Sequence, residues 1–306
     1  MAECRLCPRR CGADRAVRPG FCGAGASLRV ARAALHLWEE PCISGKRGSG
    51  TVFFSGCTLK CCFCQNAKIS TGDFGAEITV ERLAEIFLEL QEQGAHNINL
   101  VTADPYVPQI IEALDRVRDR LQVPIVYNCG GYESPEILDM LKGYVDVYLP
   151  DLKFMDEELS ARYLKAPDYF AVASKAIEAM IAQVGAPQYD EEGMMVKGVM
   201  IRHLVMPGAK EDSKQLLHWM AKHLPKDGFR LSLMSQFAPT PGCETFPEIK
   251  RRVTTYEYRQ VLETALSLGL EEGYQQYRTS AKEEYTPPFE LQGVFGKGEP
   301  SDMAGE

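Results

Sequence analysis

From Thr51 onward the chain repeats one unit, a short apolar strand followed by an amphipathic helix, and this repetition limits the fold more than any other feature. TVFFSG (51–56) reads as a buried strand. Over 79–93, Val80, Leu83, Ala84, Phe87 and Leu90 fall on one helical face, with Thr79 as N-cap and Gly94 as a stop. The strand pattern returns at NINLV (97–101), PIVYN (124–128), YVDVYL (144–149), GVMIRHLVM (198–206) and RLSLMSQF (230–237). Helical segments separate them, over 107–121, from Ser134, up to about 183 and over 212–224, and the last is marked by Tyr258, Val261, Leu262 and Ala265. Strands alternating with helices imply a parallel sheet covered by helices. Six units are too few to close an eight-stranded barrel of about 250 residues. Chemistry in such sheets sits at the carboxyl ends of the strands, so the segment after each strand is where site residues are expected.

The 306 residues are 45% hydrophobic and 25% charged, the composition of an ordinary globular protein. No apolar run approaches ~18 residues and no signal peptide opens the chain, so a soluble, cytoplasmic protein with no membrane partner is expected. A net charge of −8 argues against a nucleic-acid surface. Three segments are delimited: a Cys-rich stretch over 1–50 with little regular structure, the strand–helix region over 51–270, and an extension over 271–306 whose end is expected to be mobile.

Eleven cysteines are many for a reducing compartment, and seven fall in two tight groups, which favours metal binding over disulfides. Cys57, Cys61 and Cys64 read as CxxxCxxC with an aromatic, Phe63, before the last thiolate. Three thiolates on a [4Fe-4S] cubane leave the fourth iron open to a small molecule. Zinc sites more often pair CxxC with a distant second pair, and plant-type ferredoxins use a wider CxxxxC. A register through Cys62 would put two ligands only two residues apart. The second group, Cys4, Cys7, Cys11 and Cys22, suits either a tetrahedral zinc or a complete cubane, and the spacing does not separate them. Such a site would replace the hydrophobic core that 1–50 lacks.

The CxxxCxxC with its aromatic resembles the signature of radical S-adenosylmethionine (SAM) enzymes. That resemblance implies a (βα)6 partial TIM barrel, here preceded by a Cys-rich metal-binding segment. It further implies a [4Fe-4S] cluster, SAM bound at the open iron, and one-electron cleavage of SAM to a 5′-deoxyadenosyl radical that abstracts a substrate hydrogen. An electron donor such as flavodoxin or ferredoxin is the partner implied. Many members carry a GGE-like stretch after the second strand; VTADPY (101–106) lacks it, so Thr102 or Asp104 would supply that oxygen, unless Asp104 only caps the helix opening at Pro105. In NCGGY (128–132), Gly130 and Gly131 permit a close approach to a ligand or form a plain turn.

The run LPDLKF is similar to the D-L-K of glycyl-radical-enzyme activases, which places Asp151 and Lys153 beside SAM. Asn128 stands where that branch has an aspartate. Arg202 and His203 alternate on one strand, so at most one faces the barrel. Arg202 is the candidate, since activases carry an arginine on this strand; the alternative is a charge paired within the barrel. His36, His96, His218 and His223 show no pattern and read as surface or cap residues.

The ordered set CRLCPRRC, HLWEEPCISGKRGSG, CTLKCCFCQN, VYLPDLKF and IRHLVMPG resembles a pyruvate formate-lyase activating enzyme-like radical SAM family. It differs from activases in placing the extra cysteines before the CxxxCxxC motif. The activity implied is hydrogen abstraction, with a glycine in a partner polypeptide as one form of substrate. A non-catalytic iron–sulfur electron carrier or maturation protein and a zinc-stabilised binding protein are the alternatives.

Overall fold

The computed structural model describes residues 3–71, 74–270, 273–275 and 287–296. Its elements run β1 (Leu28–His36), α1 (Pro41–Ser44), β2 (Ser49–Phe54), α2 (Ala67–Ser70), β3 (Ala76–Ile78) and α3 (Val80–Glu92). Then come β4 (Ile98–Val101), α4 (Val107–Val117), β5 (Ile125–Cys129), α5 (Pro135–Leu141), β6 (Val147–Pro150), α6 (Glu157–Leu164) and α7 (Tyr169–Val184). The chain continues through β7 (Gln188–Tyr189), β8 (Met195–Leu204), α8 (Lys210–His223), β9 (Arg230–Met234), α9 (Thr255–Ser267) and β10 (Gly273–Gln275).

The expected strands pair in parallel along the order β2-β4-β5-β6-β8-β9. Strands β2, β4, β5 and β6 are buried along their whole length, as expected when helices cover the outer face. On α3, Leu83, Ile86, Phe87 and Leu90 form the buried stripe, and the Thr79 hydroxyl accepts the Arg82 N–H (3.1 Å) as the predicted cap. The sheet path ends at β3 on one side and β10 on the other without joining, so the barrel is partial.

Two expectations are corrected. The segment 1–50 is not without regular structure: β1 is nine residues long and pairs antiparallel with β2 from Val30↔Phe54 to His36↔Ser49. LRVARAALH is rich in Ala and Arg, residues of low strand propensity, and buried Val30, Ala31 and Ala33 in succession erase the alternation that would mark a half-buried strand. Pairing overrides the local preference, so β1 joins the barrel sheet across the boundary drawn at residue 50. At the other end β10, within the expected extension, adds a parallel strand beside β9. The end expected to be mobile lies outside the described residues. Among those that are described, no helix is long and apolar enough to cross a membrane.

The parallel order puts the carboxyl ends of β2, β4, β5, β6, β8 and β9 on one rim. Packing there is close enough to need glycine at one turn. Gly131 has φ +79°, and a Cβ on it would lie 2.1 Å from the Asp151 carbonyl oxygen and 2.9 Å from the Tyr169 hydroxyl. That hydroxyl sits 2.9 and 2.8 Å from the carbonyls of Gly130 and Asp151 and accepts the Lys153 N–H (3.1 Å). The turn after β5 is thereby stitched to the strand end of β6, where Asp151 and Lys153 stand. Gly131→Ala combines a left-handed backbone with a clash that no side chain can relieve. It should cost roughly 2–4 kcal/mol of stability in urea unfolding; an unchanged midpoint would mean these two turns are not held together.

Candidate active site

The cluster loop follows β2 and is fastened at several points. Cys57 N–H donates to the Cys22 carbonyl (3.0 Å), Lys60 N–H to the Leu164 carbonyl (3.2 Å), and Cys62 N–H to the Tyr163 carbonyl (2.9 Å). Phe63 packs edge-on against Phe154 and Phe237, with centroids 6.1 and 6.2 Å away. The Leu59 N–H reaches the Cys57 sulfur at 3.4 Å.

Cys62 faces elsewhere. Its thiol lies beside Cys243, and its carbonyl accepts the Thr240 hydroxyl (2.8 Å). Cys61 and Cys64 line the central cavity and Cys57 lies near both, whereas Cys62 does not line it. Burial pushes the Cys57 thiol well above its usual range, and nearby Cys61 and Cys64 push it further. Burial likewise takes Cys61 up to about 12, with Lys153 opposing. Three bare thiolates are not sustained together here; bound iron supplies the positive charge that makes them stable, so the donor set fits a cluster.

The same cavity, of about 220 Å³, is lined by a set of charges. Lys153 Nζ donates to Asp151 Oδ2 (2.6 Å), and Arg202 Nη2 lies 2.9 Å from Asp151 Oδ1. Arg202 Nη2 also donates to Asn128 Oδ1 (2.6 Å), and its Nη1 is 3.6 Å from Glu39 Oε2. Partial burial would raise the Asp151 carboxyl, yet Arg202 and Lys153 hold it below the usual value. Burial disfavours the Lys153 ammonium, but Asp151 and the Cys61 thiol outweigh it and raise its pKa. Glu39 is pushed up to about 7, chiefly by burial, with Arg202 opposing. Two buried polar atoms on this wall, Arg202 Nε and Gln236 Oε1, have no partner among the described residues. Cations and carboxylates side by side, with donor and acceptor capacity unused, suit a zwitterionic ligand such as the methionine portion of SAM.

The strand ends brought Asn128, Asp151, Lys153 and Arg202 together as expected. Alternation on β8 sends Arg202 inward, while buried His203 turns to the Leu152 carbonyl and the Ser213 hydroxyl. Thr102 and Asp104 do not line the cavity. Thr102 takes φ +57°, unusual for a β-branched residue. Asp104 neither caps a helix nor reaches the cavity: it is buried, accepts the Tyr127 hydroxyl (2.9 Å), and lies beside Glu133. Burial raises both carboxyls above the ordinary range, as happens when two acids share an apolar site.

Sequence reasoning missed Glu39, Gln236, His36 and Trp38, all on the cavity wall. His36 and His96 are buried rather than on the surface. The available signal was Trp-Glu-Glu in HLWEEPC, an aromatic beside two acids between the cysteine groups.

At the amino terminus Cys4, Cys7 and Cys22 are buried and Cys11 half-buried. Cys4 N–H donates to Ala13 and its carbonyl accepts from Gly12 (3.0 Å each), closing the segment into a loop. A Cβ on Gly20 would sit 3.4 Å from the Cys11 sulfur and 3.6 Å from that of Cys22, so these thiols flank one glycine. Burial alone would raise Cys11, but N–H groups of Phe21, Ala13 and Cys11 itself, with the Cys4 thiol, bring its pKa down. Cys22 is raised by burial and by the nearby thiols of Cys4 and Cys11. Among the described residues, no three His, Cys, Asp or Glu side chains close on one point as a single metal ion requires.

Residues 51–220 match the profile of the Radical SAM superfamily. The uncharacterized protein MJ0674 of Methanocaldococcus jannaschii is 32% identical over 279 residues, 88% of this chain and 76% of that protein. Among solved structures, Streptococcus suis SuiB bound to S-adenosylmethionine matches with 14% identity and a TM-score of 0.49, over 72% of this chain and 48% of its own. Methylornithine synthase matches with 20% identity and a TM-score of 0.47, over 69% and 59%. The hydrogenase maturase HydG of Carboxydothermus hydrogenoformans matches with 12% identity and a TM-score of 0.48, over 77% and 55%. The chain thus spans about half the length of the solved structures it resembles.

The register predicts unequal outcomes for neighbouring cysteines. After anaerobic reconstitution with iron and sulfide, Cys61→Ala should hold about four fewer irons than the parent, and Cys62→Ala should hold the full complement. The reverse pattern in an iron assay would move the ligand from Cys61 to Cys62.

Proposed function

Since the chain belongs to the radical SAM superfamily, we propose that it abstracts a hydrogen atom from an organic substrate bound in the cavity described above. Membership itself implies a [4Fe-4S] cluster, SAM and radical chemistry. When bound, the reduced cluster supplies the electron that cleaves SAM to methionine and a hydrogen-abstracting 5′-deoxyadenosyl radical. The observation that carries the proposal is that Asp151, Lys153 and Arg202 line one cavity together with Cys61 and Cys64.

This chain's residues divide the work. Cys57, Cys61 and Cys64 would hold the cluster. Lys153 and Arg202 would meet the SAM carboxylate, and Asp151 and Glu39 its ammonium, each side chain already oriented by a partner so that little reorganisation would accompany binding. Phe63 and Phe154 make the cavity wall apolar beside the cysteines and exclude water from the reacting centre.

The finer reading is that the hydrogen donor is a glycine in a partner polypeptide, with a flavodoxin or ferredoxin as electron donor and a cytoplasmic setting. The Asp151-Leu152-Lys153 run supports it, as does a mouth beside half-exposed Trp38. The competing reading, a non-catalytic iron–sulfur electron carrier or maturation protein, leaves the paired charges across the cavity without a use. Reduced, iron-loaded protein given SAM decides between them: 5′-deoxyadenosine is expected, and its absence with a fully loaded, reduced cluster would favour the carrier. A glycyl substrate requires, in addition, a radical on the added partner polypeptide detected by EPR.

Asp151→Asn and Lys153→Met keep the volume of the site while removing one charge each. SAM affinity should fall tenfold to a hundredfold, the equivalent of ~1.5–3 kcal/mol, with iron content unchanged. Calorimetry showing parental affinity in both would place the pair outside the SAM site. Glu39 adds a pH dependence. Its carboxyl, at about 7, must be ionised to face an ammonium, so affinity should weaken up to about tenfold as pH falls from about 8 to 6. Glu39→Gln should flatten that profile; an equally steep one would assign the titration to another group.

A further inference from the structure

The loop that carries the four amino-terminal cysteines is packed against the cluster loop. The Cys22 carbonyl accepts the Cys57 N–H at 3.0 Å, so a residue of one group is hydrogen-bonded to a residue of the other. Gly56 makes this approach available: it takes φ +93°, and any Cβ there would lie 2.8 Å from the Cys22 carbonyl oxygen. Arg9, between Cys7 and Cys11, fastens the same contact from the other side by donating Nε–H to the Thr58 carbonyl (2.9 Å). Its guanidinium also lies 4.3 Å from the Phe21 ring centroid and 5.1 Å from that of Tyr132.

Two observations bear on what the thiols hold. The four thiols are mutual neighbours, Cys4 beside Cys11, Cys7 near Cys4 and Cys22, and Cys11 and Cys22 flanking Gly20, a grouping that suits thiolates spread over the separate irons of a cubane. Exposure is also polarised: Cys4, Cys7 and Cys22 are buried, while Cys11 is half-buried beside exposed Phe21. A purely structural zinc needs neither a link to the catalytic loop nor one thiol near water. A one-electron relay needs both, an outer edge where a donor touches and a short bonded path inward.

We propose that Cys4, Cys7, Cys11 and Cys22 bind a second [4Fe-4S] cluster that passes electrons to the cluster at Cys57, Cys61 and Cys64 through the Cys22–Cys57 hydrogen bond. One electron leaves a reduced flavin or iron–sulfur carrier protein, reduces the amino-terminal cluster by one, and then reduces the barrel cluster by one as the first is reoxidised. No bond is made or broken and no proton moves. The relay rests on the radical SAM reading of the barrel; the second cluster itself does not.

The test uses the full chain, reconstituted anaerobically. A Cys57→Ala, Cys61→Ala, Cys64→Ala variant should retain about four irons and four sulfides, with the visible absorption of a cubane. About one zinc and no iron, or no metal, would overturn the second cluster. A Cys4→Ala, Cys7→Ala variant should retain the barrel's four irons and still cleave SAM with dithionite as reductant. Its barrel cluster should be reduced at least tenfold more slowly by reduced flavodoxin. An unchanged rate would overturn the relay while leaving SAM chemistry intact. Should this variant lose the barrel cluster as well, the parent decides: EPR of the fully reduced protein should show two magnetically interacting clusters, and a single isolated signal would overturn the proposal.

Discussion

Asp151, held between the Arg202 guanidinium and the Lys153 ammonium, is the interaction on which the site depends. Partly buried charges are unfavourable singly, and each of the three is stabilised by the other two. The arrangement is made by strand pairing, because β6 and β8 run parallel and the bridge between Asp151 and Arg202 aligns their ends. Gly131 and Tyr169 then fix the Asp151 backbone, so the ion triad is tied to main-chain geometry rather than to flexible loops. A ligand with its own carboxylate and ammonium meets partners already in place, and rigid partners are what make binding energy available for orientation.

The same triad shows why one part of the site was legible in the residues and another was not. Asp151, Lys153, Asn128 and Arg202 are found by locating strand ends, because a parallel sheet gathers those ends on one rim whatever the loops do. The cysteine register is legible for a chemical reason, that three ligands on a short loop need spacing, and Cys62 is spare because its side chain belongs to a contact with Cys243. Glu39 belongs to neither class. It arrives from the loop after β1, a strand with no alternating pattern, so its place beside Arg202 depends on a long-range pairing that local sequence does not display. Asp104 fails for the complementary reason. Its position at a strand end is right, but its side chain turns to Tyr127 and Glu133.

β1 changes what the amino-terminal segment is. Read as a Cys-rich appendage, 1–50 would need metal for all its order. With β1 hydrogen-bonded along β2 and Leu28, Val30 and Ala33 in the main core, much of that order comes from the sheet, and only the loop before it is left for a metal to order. The chain leaves this loop through Cys22, crosses β1, and returns to the cavity at His36, Trp38 and Glu39. One segment therefore touches the catalytic site twice, at the back of the cluster loop through Cys22 and at the cavity wall through Glu39.

That double contact bears on why the extra cysteines precede the CxxxCxxC motif. The extra cysteines sit on a loop of their own, closed by the hydrogen bond from the Cys4 N–H to the Ala13 carbonyl. Placed before β1, that loop lies behind the cluster loop, and Gly56 with the Cys57 N–H supplies a contact that occupies none of the cavity. On the relay proposed above, a donor meeting the amino-terminal loop would leave the cavity itself free.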